Sequence, residues 1–368
     1  MKTYFANPVT YFALATLVPV PLLILASVLG GGWIFMAILY MAVFSFAMDE
    51  WTVLSVPDQP DTQELPTADQ LGIALAVAHF GLLGLGLFAL GGGTGLGIAG
   101  QIGLLFALGL FFGQISNSNA HELIHKSDKK LFELGKWVYI SLLFGHHTSA
   151  HRYVHHRYVA TGEDPATADL DEGFYDYAQR AWLDGFRSGY EMEVAMTNRL
   201  EGKRRLNPYV IYLCGAVGLL IAALVLFGLL GLLAYLALAA FAQSQLLLSD
   251  YVQHYGLLRR RLPGGKVEPI GPEHSWNAPH WFTGLLMLNA PRHSDHHTNP
   301  RKPFTGLKLP VANSAPMLPY SLPVMCAVAL YPPYWRKMMS PRAKSWRSAP
   351  IRKHETGLEP GRPEAARI

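Results

Sequence analysis

Cysteine is nearly absent from this chain. Its 368 residues include two, Cys214 and Cys326, and neither has a partner at CxxC spacing. The sequence therefore excludes a built-in iron–sulfur or similar thiolate-ligated domain, and both cysteines read as small buried hydrophobes. Charge is the second scarcity. Charged residues make up 15% of the chain and hydrophobic ones 51%; apart from Lys2, no lysine or arginine precedes Lys126, and none lies between Leu206 and Leu258. A soluble fold has no need of apolar stretches so free of charge, and the composition points to a lipid bilayer. The formal net charge of +4 follows from membrane orientation and requires no nucleic acid.

What is present has the pattern of an all-α integral membrane protein. Apolar runs at 11–29, 33–48, 71–90 and 96–115 approach the roughly 20 residues that cross a bilayer. The run 208–249 is too long for one crossing at about 1.5 Å per residue, and two helices folding back near Gly228 to Gly231 fit it better. Six transmembrane helices result. The first apolar stretch has no basic segment beyond Lys2 and no small-residue cleavage site, so it is expected to stay as a span. Lysine and arginine concentrate in 126–205 and 259–367, which makes both segments cytoplasmic and both termini internal.

Against this background the 15 histidines stand out, most of them in four blocks: HELIHK from His121, HRYVHH from His151, DYVQHYGL from Asp250 and RHSDHH from Arg292. Helical residues three or four apart share a face. His121 with His125, and His151 with His155, can each offer two imidazoles to one ion, and His293, His296 and His297 converge within one turn. Adjacent residues diverge by about 100°, so His155 next to His156 favours two ions. The spacing predicts a dinuclear metal site with nine candidate ligands: His121, His125, His151, His155, His156, His254, His293, His296 and His297. Nitrogen ligands suit iron, copper, zinc or nickel and leave the choice open. In the topology above, all four blocks lie on one side, as a cytosolic histidine-rich cap on the bundle. Imidazoles facing lipid would be costly, so the cluster should look inward.

Residues 49–69 are acidic and proline-bearing, and read as a cytosolic loop placed over part of the site. The apolar segment 321–331 is too short to span and is stopped by Pro332 and Pro333, which predicts a buried or interfacial helix. The membrane domain with its cap is expected over 1–341, with 126–205 and 250–341 supplying most of the cap. Residues 342–368 form a basic tail, expected to be poorly ordered.

The blocks HELIHK, HRYVHHRYVATGEDPATA, DYVQHYGLL, HSWNAPH and RHSDHHTNP resemble, in sequence and order, those of the membrane alkane hydroxylases. These are non-haem diiron alkane 1-monooxygenases within the fatty acid desaturase and hydroxylase superfamily. The resemblance covers about 49–341. It implies a six-helix enzyme that uses two iron ions, dioxygen and two electrons to convert the terminal C–H bond of a linear alkane to a primary alcohol. It also implies rubredoxin as electron donor, with rubredoxin reductase and NADH behind it, and a bacterial plasma membrane with the site on the cytoplasmic side. The family's nine ligands fall on the same nine histidines, and no catalytic residue beyond them is implied. Departures from the family pattern are Ala150 for a glutamate, Val154 for a glycine, Gly162 for a proline, and Asp250 and Gln253 for an asparagine and a glutamate. None removes a ligand.

Around the ligands, Glu122, Asp164, Asp250, His274 and Asp295 are candidates to accept or orient the second ring nitrogen of each imidazole. His79, His146, His147 and His280 are expected to pack or hydrogen-bond. By resemblance, Met41 and Phe44 on the second span are candidate walls of the substrate tunnel. Lys203 to Arg205, Arg259 to Arg261, Arg336 and Lys337 are a candidate dock for an acidic rubredoxin. Three other readings compete. A membrane fatty-acyl desaturase would use the same diiron site. HELIH fits the HExxH zinc-protease pattern, which leaves the other seven histidines unexplained. A metal carrier would need polar groups distributed across the membrane, and the ligands gather at one face instead.

Overall fold

The computed structural model describes residues 7–51, 65–199, 206–311 and 313–348. Helices carry its regular structure, with isolated bridges at Arg261 with Val267 and Asn277 with Met317. Four long apolar stretches come first: α1 Val9–Leu29, α2 Gly32–Trp51, α3 Pro66–Gly93 and α4 Ile98–Ile124. Each is long and apolar enough to cross a membrane. The joint between α1 and α2 is made by Gly30 and Gly31, at φ 64° and 54°, a backbone region that side chains disfavour.

The spans are not uniform α-helices. Wide π-helical turns interrupt them at Leu39–Phe44, Ala89–Gly93 and Phe111–Ser116. Such turns bond i to i+5 and so shift the face on which later residues emerge. The last of them directly precedes Asn117–Ile124, which carries the first histidine block.

In the cap, α5 (Lys129–Ser141) starts where the Asp128 carboxylate accepts from the backbone N–H of Lys130 and Leu131. A second-block π-turn, α6 (Ala150–His155), is followed by the amphipathic α7 (Phe174–Asn198). Buried His79 of α3 places one ring nitrogen 2.9 Å from Ser116 Oγ and the other 2.7 Å from Ser141 Oγ. It thus ties α3, α4 and α5 together, a packing role.

The fifth apolar stretch, α8 (Pro208–His254), has 47 residues. Unbroken it would be about 70 Å long, more than twice the ~30 Å hydrocarbon core. It breaks at Gly228, with φ 69° and ψ −170°, a conformation essentially confined to glycine. A β-carbon at Gly91 would lie 2.9 Å from the Phe227 carbonyl oxygen, so the break sits beside the end of α3. At the other end of α3, Asp69 pairs with Lys126 at 3.1 Å, next to the first histidine block. The Gly228 break is therefore at the opposite end of the bundle from the cap.

The C-terminal part comprises α9 (Trp281–Leu286), α10 (His293–Thr298), α11 (Leu322–Ala329) and α12 (Pro332–Ser348). α11 is the short helix read from 321–331. α12 corrects the start of the tail, because the helix continues past 342 with Trp335, Met339 and Ala343 fully buried. Near its end, Arg347 Nε donates to the Gly256 carbonyl at 2.5 Å. Residues 349–368 lie outside the described residues. So do 52–64, the greater part of the acidic loop expected over the site. At the start of that segment Asp49 is helical and buried. Its Oδ1 accepts from the backbone N–H of Phe282 and Thr283, at 2.9 and 3.2 Å, and caps α9.

Candidate metal centre

The four blocks bring the nine candidate histidines together in two groups. His121, His125, His151, His156 and His296 form one, and His155, His254, His293 and His297 the other; within each group the potential ligand atoms all lie within 4.8 Å of one another. The first block serves only the group of five and the third only the group of four. The second and fourth blocks split between them, with His155 and His156 going to different groups, as their divergence around a helix predicted.

Two pairings from simple helical spacing are corrected. His151 does not group with His155, and His296 does not group with His293 and His297. In the second block the π-turn Ala150–His155 holds more residues per turn than an α-helix. This brings His156, five residues on, to His151, with their Nε2 atoms 2.9 Å apart. In the fourth block α10 is only six residues long and presents neighbouring faces to the two groups.

The nitrogen geometry tests whether a metal fits. In the group of five, His151 Nε2 is 2.9 Å from His121 Nε2 and 2.9 Å from His156 Nε2, and His156 Nε2 is 3.1 Å from His296 Nε2. In the group of four, His254 to His293, His293 to His297 and His297 to His155 are 2.9, 3.0 and 3.2 Å. A neutral imidazole has one N–H and one lone pair, so these chains of Nε2 contacts cannot all be hydrogen bonds. The outer nitrogens point the same way. Among the described residues, Nδ1 of His151, His156 and His297 is buried without a hydrogen-bond partner. A proton on each Nδ1 leaves every Nε2 lone pair free for a shared cation, and nitrogens bound at about 2.0–2.1 Å to one ion stand at such mutual distances. The residues fit a metal in each group.

Burial and the neighbouring imidazoles hold His125, His151, His156, His293, His296 and His297 well below the ordinary histidine pKa of 6.5. They are neutral, as ligands must be. His155 differs: burial pulls it down, but the charge and hydrogen bond of Asp164 together with the charge of Asp250 raise it. Its Nδ1–H donates to Asp164 Oδ2 at 2.8 Å. Thr167 Oγ1 and the Ala166 N–H donate to the same carboxylate and hold it in place.

The other orienting candidates are placed differently. Glu122 pairs with Lys126 at 3.1 Å rather than with an imidazole. Asp295 accepts from Lys302 Nζ and the Lys308 N–H, both at 2.7 Å, and from Asn299, so it folds the segment after α10. His274 receives the Gly271 N–H on Nδ1 and therefore donates from Nε2 to Glu268, at 3.0 Å. It latches the loop beneath the third block. Asp250 is buried and lines a small cavity together with Ala150, His151 and His155. Two departures from the family pattern, Ala150 and Asp250, thus meet at one place.

Sequence reasoning missed Asn277. Its Oδ1 accepts from the Ser294 N–H at 2.9 Å and its Nδ2 donates to Ser294 Oγ at 2.6 Å, which fixes the start of α10 between two ligands' worth of turn. Its position in HSWNAPH was the available signal. Gln253 has a related role, donating to the Ala290 carbonyl just before the fourth block.

On the membrane side of the centre lies a cavity of about 500 Å³. Met41, Leu110, Gln114, Leu248, Met287 and Leu322 are among its walls. Gln114 and Ser249 stand within two helical turns of His121 and His254 by residue count, at about 5.4 Å per turn. Met41 is 2% exposed. Phe44 is corrected: it is 41% exposed and packs outside, against Tyr40 and Phe282 with ring centres 5.5 and 5.1 Å away. Of the basic dock, Arg259 is committed to the Glu268 and Arg157 carbonyls, Arg336 and Lys337 lie on α12, and Lys203 to Arg205 lie outside the described residues.

Comparison with known proteins gives a match over residues 96–328 to the family model described as fatty acid desaturase. Alkane 1-monooxygenase 1 of Alcanivorax borkumensis is 33% identical over 273 residues, 72% of this chain and 65% of that protein. Alkane 1-monooxygenase of Acinetobacter baylyi is 34% identical over 64% of this chain and 58% of its own length. Alkane 1-monooxygenase of Pseudomonas putida is 32% identical over 68% and 62%. The chain thus spans less than two thirds of the length of these relatives.

Proposed function

Since the chain belongs to the fatty acid desaturase family, we propose that it is a membrane monooxygenase that converts the terminal C–H bond of a linear alkane to a primary alcohol. The single observation that carries this reading is the convergence of nine imidazoles in two groups, with an apolar cavity whose walls at Gln114 and Ser249 come within about two helical turns of His121 and His254. The names of its relatives suggest the alkane.

The two groups would hold two iron ions, which with dioxygen and two electrons supply oxidising power sufficient for an unactivated methyl group. The chain's own residues bind and orient. Asp164 holds the His155 ring, and Asn277 fixes the turn that bears His293, His296 and His297. The apolar cavity walls exclude water and align a flexible chain with its terminal carbon toward the cap. Rubredoxin, reduced by its reductase from NADH, would deliver the electrons at the cap. The cap would face the cytoplasm of a bacterial plasma membrane, with the Gly228 break making the sixth crossing.

A second reading rests on the family model itself, whose description is fatty acid desaturase: a fatty-acyl desaturase or hydroxylase with the same metal ligands. Product analysis separates the two. Purified protein in lipid is supplied with dodecane or an acyl substrate, rubredoxin, its reductase, NADH and ¹⁸O-labelled dioxygen. Labelled 1-dodecanol is the expected product. An alkene from the acyl substrate, with no alcohol from dodecane, would overturn the alkane reading in favour of desaturation.

A further inference from the structure

Beneath the second and third histidine blocks lies a second, much smaller cavity, with Phe144, Val154 and Leu247 as apolar walls. Its volume of about 30 Å³ exceeds the roughly 10–15 Å³ that a cavity needs to hold a water molecule. Two polar groups on its wall have unmet needs. His151 directs Nε2 into the group of five, while its Nδ1 is buried without a partner among the described residues. The carboxylate of Asp250, a residue 8% exposed, makes no side-chain hydrogen bond among the described residues. It stands one turn before His254 on α8, at the i, i+4 spacing that puts both on one face.

We propose that this cavity is a water site, in which one water molecule accepts the Nδ1–H of His151 and donates to the Asp250 carboxylate. Asp250 is then a positioning residue for His151, acting through water. A ligating imidazole is held in orientation by giving its other N–H to a carboxylate, a carbonyl or water. A bridging water does this nearly as well as a direct bond, and a buried one needs two to four polar partners. His147, on the same wall with its ring 5.1 Å from that of His151, is available as a third. The cap then has one carboxylate per group: Asp164 directly on His155 in the group of four, and Asp250 through water on His151 in the group of five.

The inference rests on His151 being a metal ligand, so the iron content of the wild-type protein is measured first. Absence of iron there would overturn that reading before any variant is compared. Iron release to a ferrous chelator is then followed in wild type, Asp250→Leu and Asp250→Leu with Ala150→Asp. Leucine fills similar space without accepting a hydrogen bond. Iron should leave Asp250→Leu at least about tenfold faster, in the range for losing an orienting partner. Ala150 borders the same cavity, and an aspartate there returns a carboxylate to it, so the double variant should return to within about threefold of wild type. A packing role for Asp250 would not be rescued in this way. Wild-type release from Asp250→Leu, or no rescue by Ala150→Asp, would overturn the proposal. If Asp250→Leu does not fold, Asp250→Val, which also has no acceptor, with the same rescue decides it by the same two outcomes.

Discussion

In the cap, neighbouring imidazole nitrogens are 2.9–3.2 Å apart, and a misplaced ring would leave a buried polar atom unsatisfied at a cost of about 1–3 kcal/mol. In the bundle such polar constraints are fewer, with His79 held between Ser116 and Ser141 as one of them. Met41 and Phe44 lie three residues apart on α2 and are similarly apolar, yet one lines the cavity at 2% exposure and the other faces outward at 41%. The comparison teaches that a polar side chain's role is set by its partner and an apolar one's by its face. Substitutions in the cap should therefore act on metal binding, and those in the bundle on which substrates are taken.

The largest effect should come from the ligands. His125→Ala removes a donor from the group of five, and His155→Ala one from the group of four. Each is expected to halve the iron content measured by mass spectrometry and to abolish alcohol formation. Full iron content in either variant would remove that histidine from the ligand set. A smaller effect is expected for Asp164→Asn, which keeps the shape but weakens the bond to His155. The cost should be about 10–100-fold in metal affinity or turnover, confined to one of the two ions. Equal loss of both ions would mean that the two groups act as one unit.

The same contrast explains what could be read in advance. Histidine is rare and chemically specific, so the nine residues that the structure gathers could be named from identity and spacing. Their division between groups could not, because spacing arguments assume α-helical turns and the second block forms a π-turn. Supporting residues were read from nearness in sequence, which suited Asp164, nine residues from His155, but favoured Glu122 and Asp295 over Asn277, whose partner Ser294 is 17 residues away. In the bundle, the lengths of the apolar runs and Gly228 placed the helices. Their faces were hidden, because helices apolar all round show no pattern that distinguishes cavity from lipid. The length of α12 was hidden for a related reason: 342–348 look like a basic tail until Ala343 is seen buried against Gly256.

The finest test of the contrast is a pair of substitutions within one turn of α2. Met41→Trp places a larger, stiffer side chain in the wall of the 500 Å³ cavity, whereas Phe44→Trp enlarges a ring that packs outside it. Each substrate methylene that no longer fits forfeits about 0.8 kcal/mol of burial, about fourfold in kcat/KM. Met41→Trp should therefore lower kcat/KM for the longest accepted alkanes stepwise by this factor, and leave short chains and iron content unchanged. Phe44→Trp should leave the whole chain-length profile within about twofold of wild type, since an exposed substitution away from such features changes energies by only about ±0.5 kcal/mol. The competition is best read from one mixture of C8 to C16 alkanes, where all chain lengths meet the same enzyme and differences in expression cancel. An identical shift in both variants would show that α2 acts through its overall position and not through the face that Met41 presents. A shift in Phe44→Trp alone would move the tunnel to the other side of the helix.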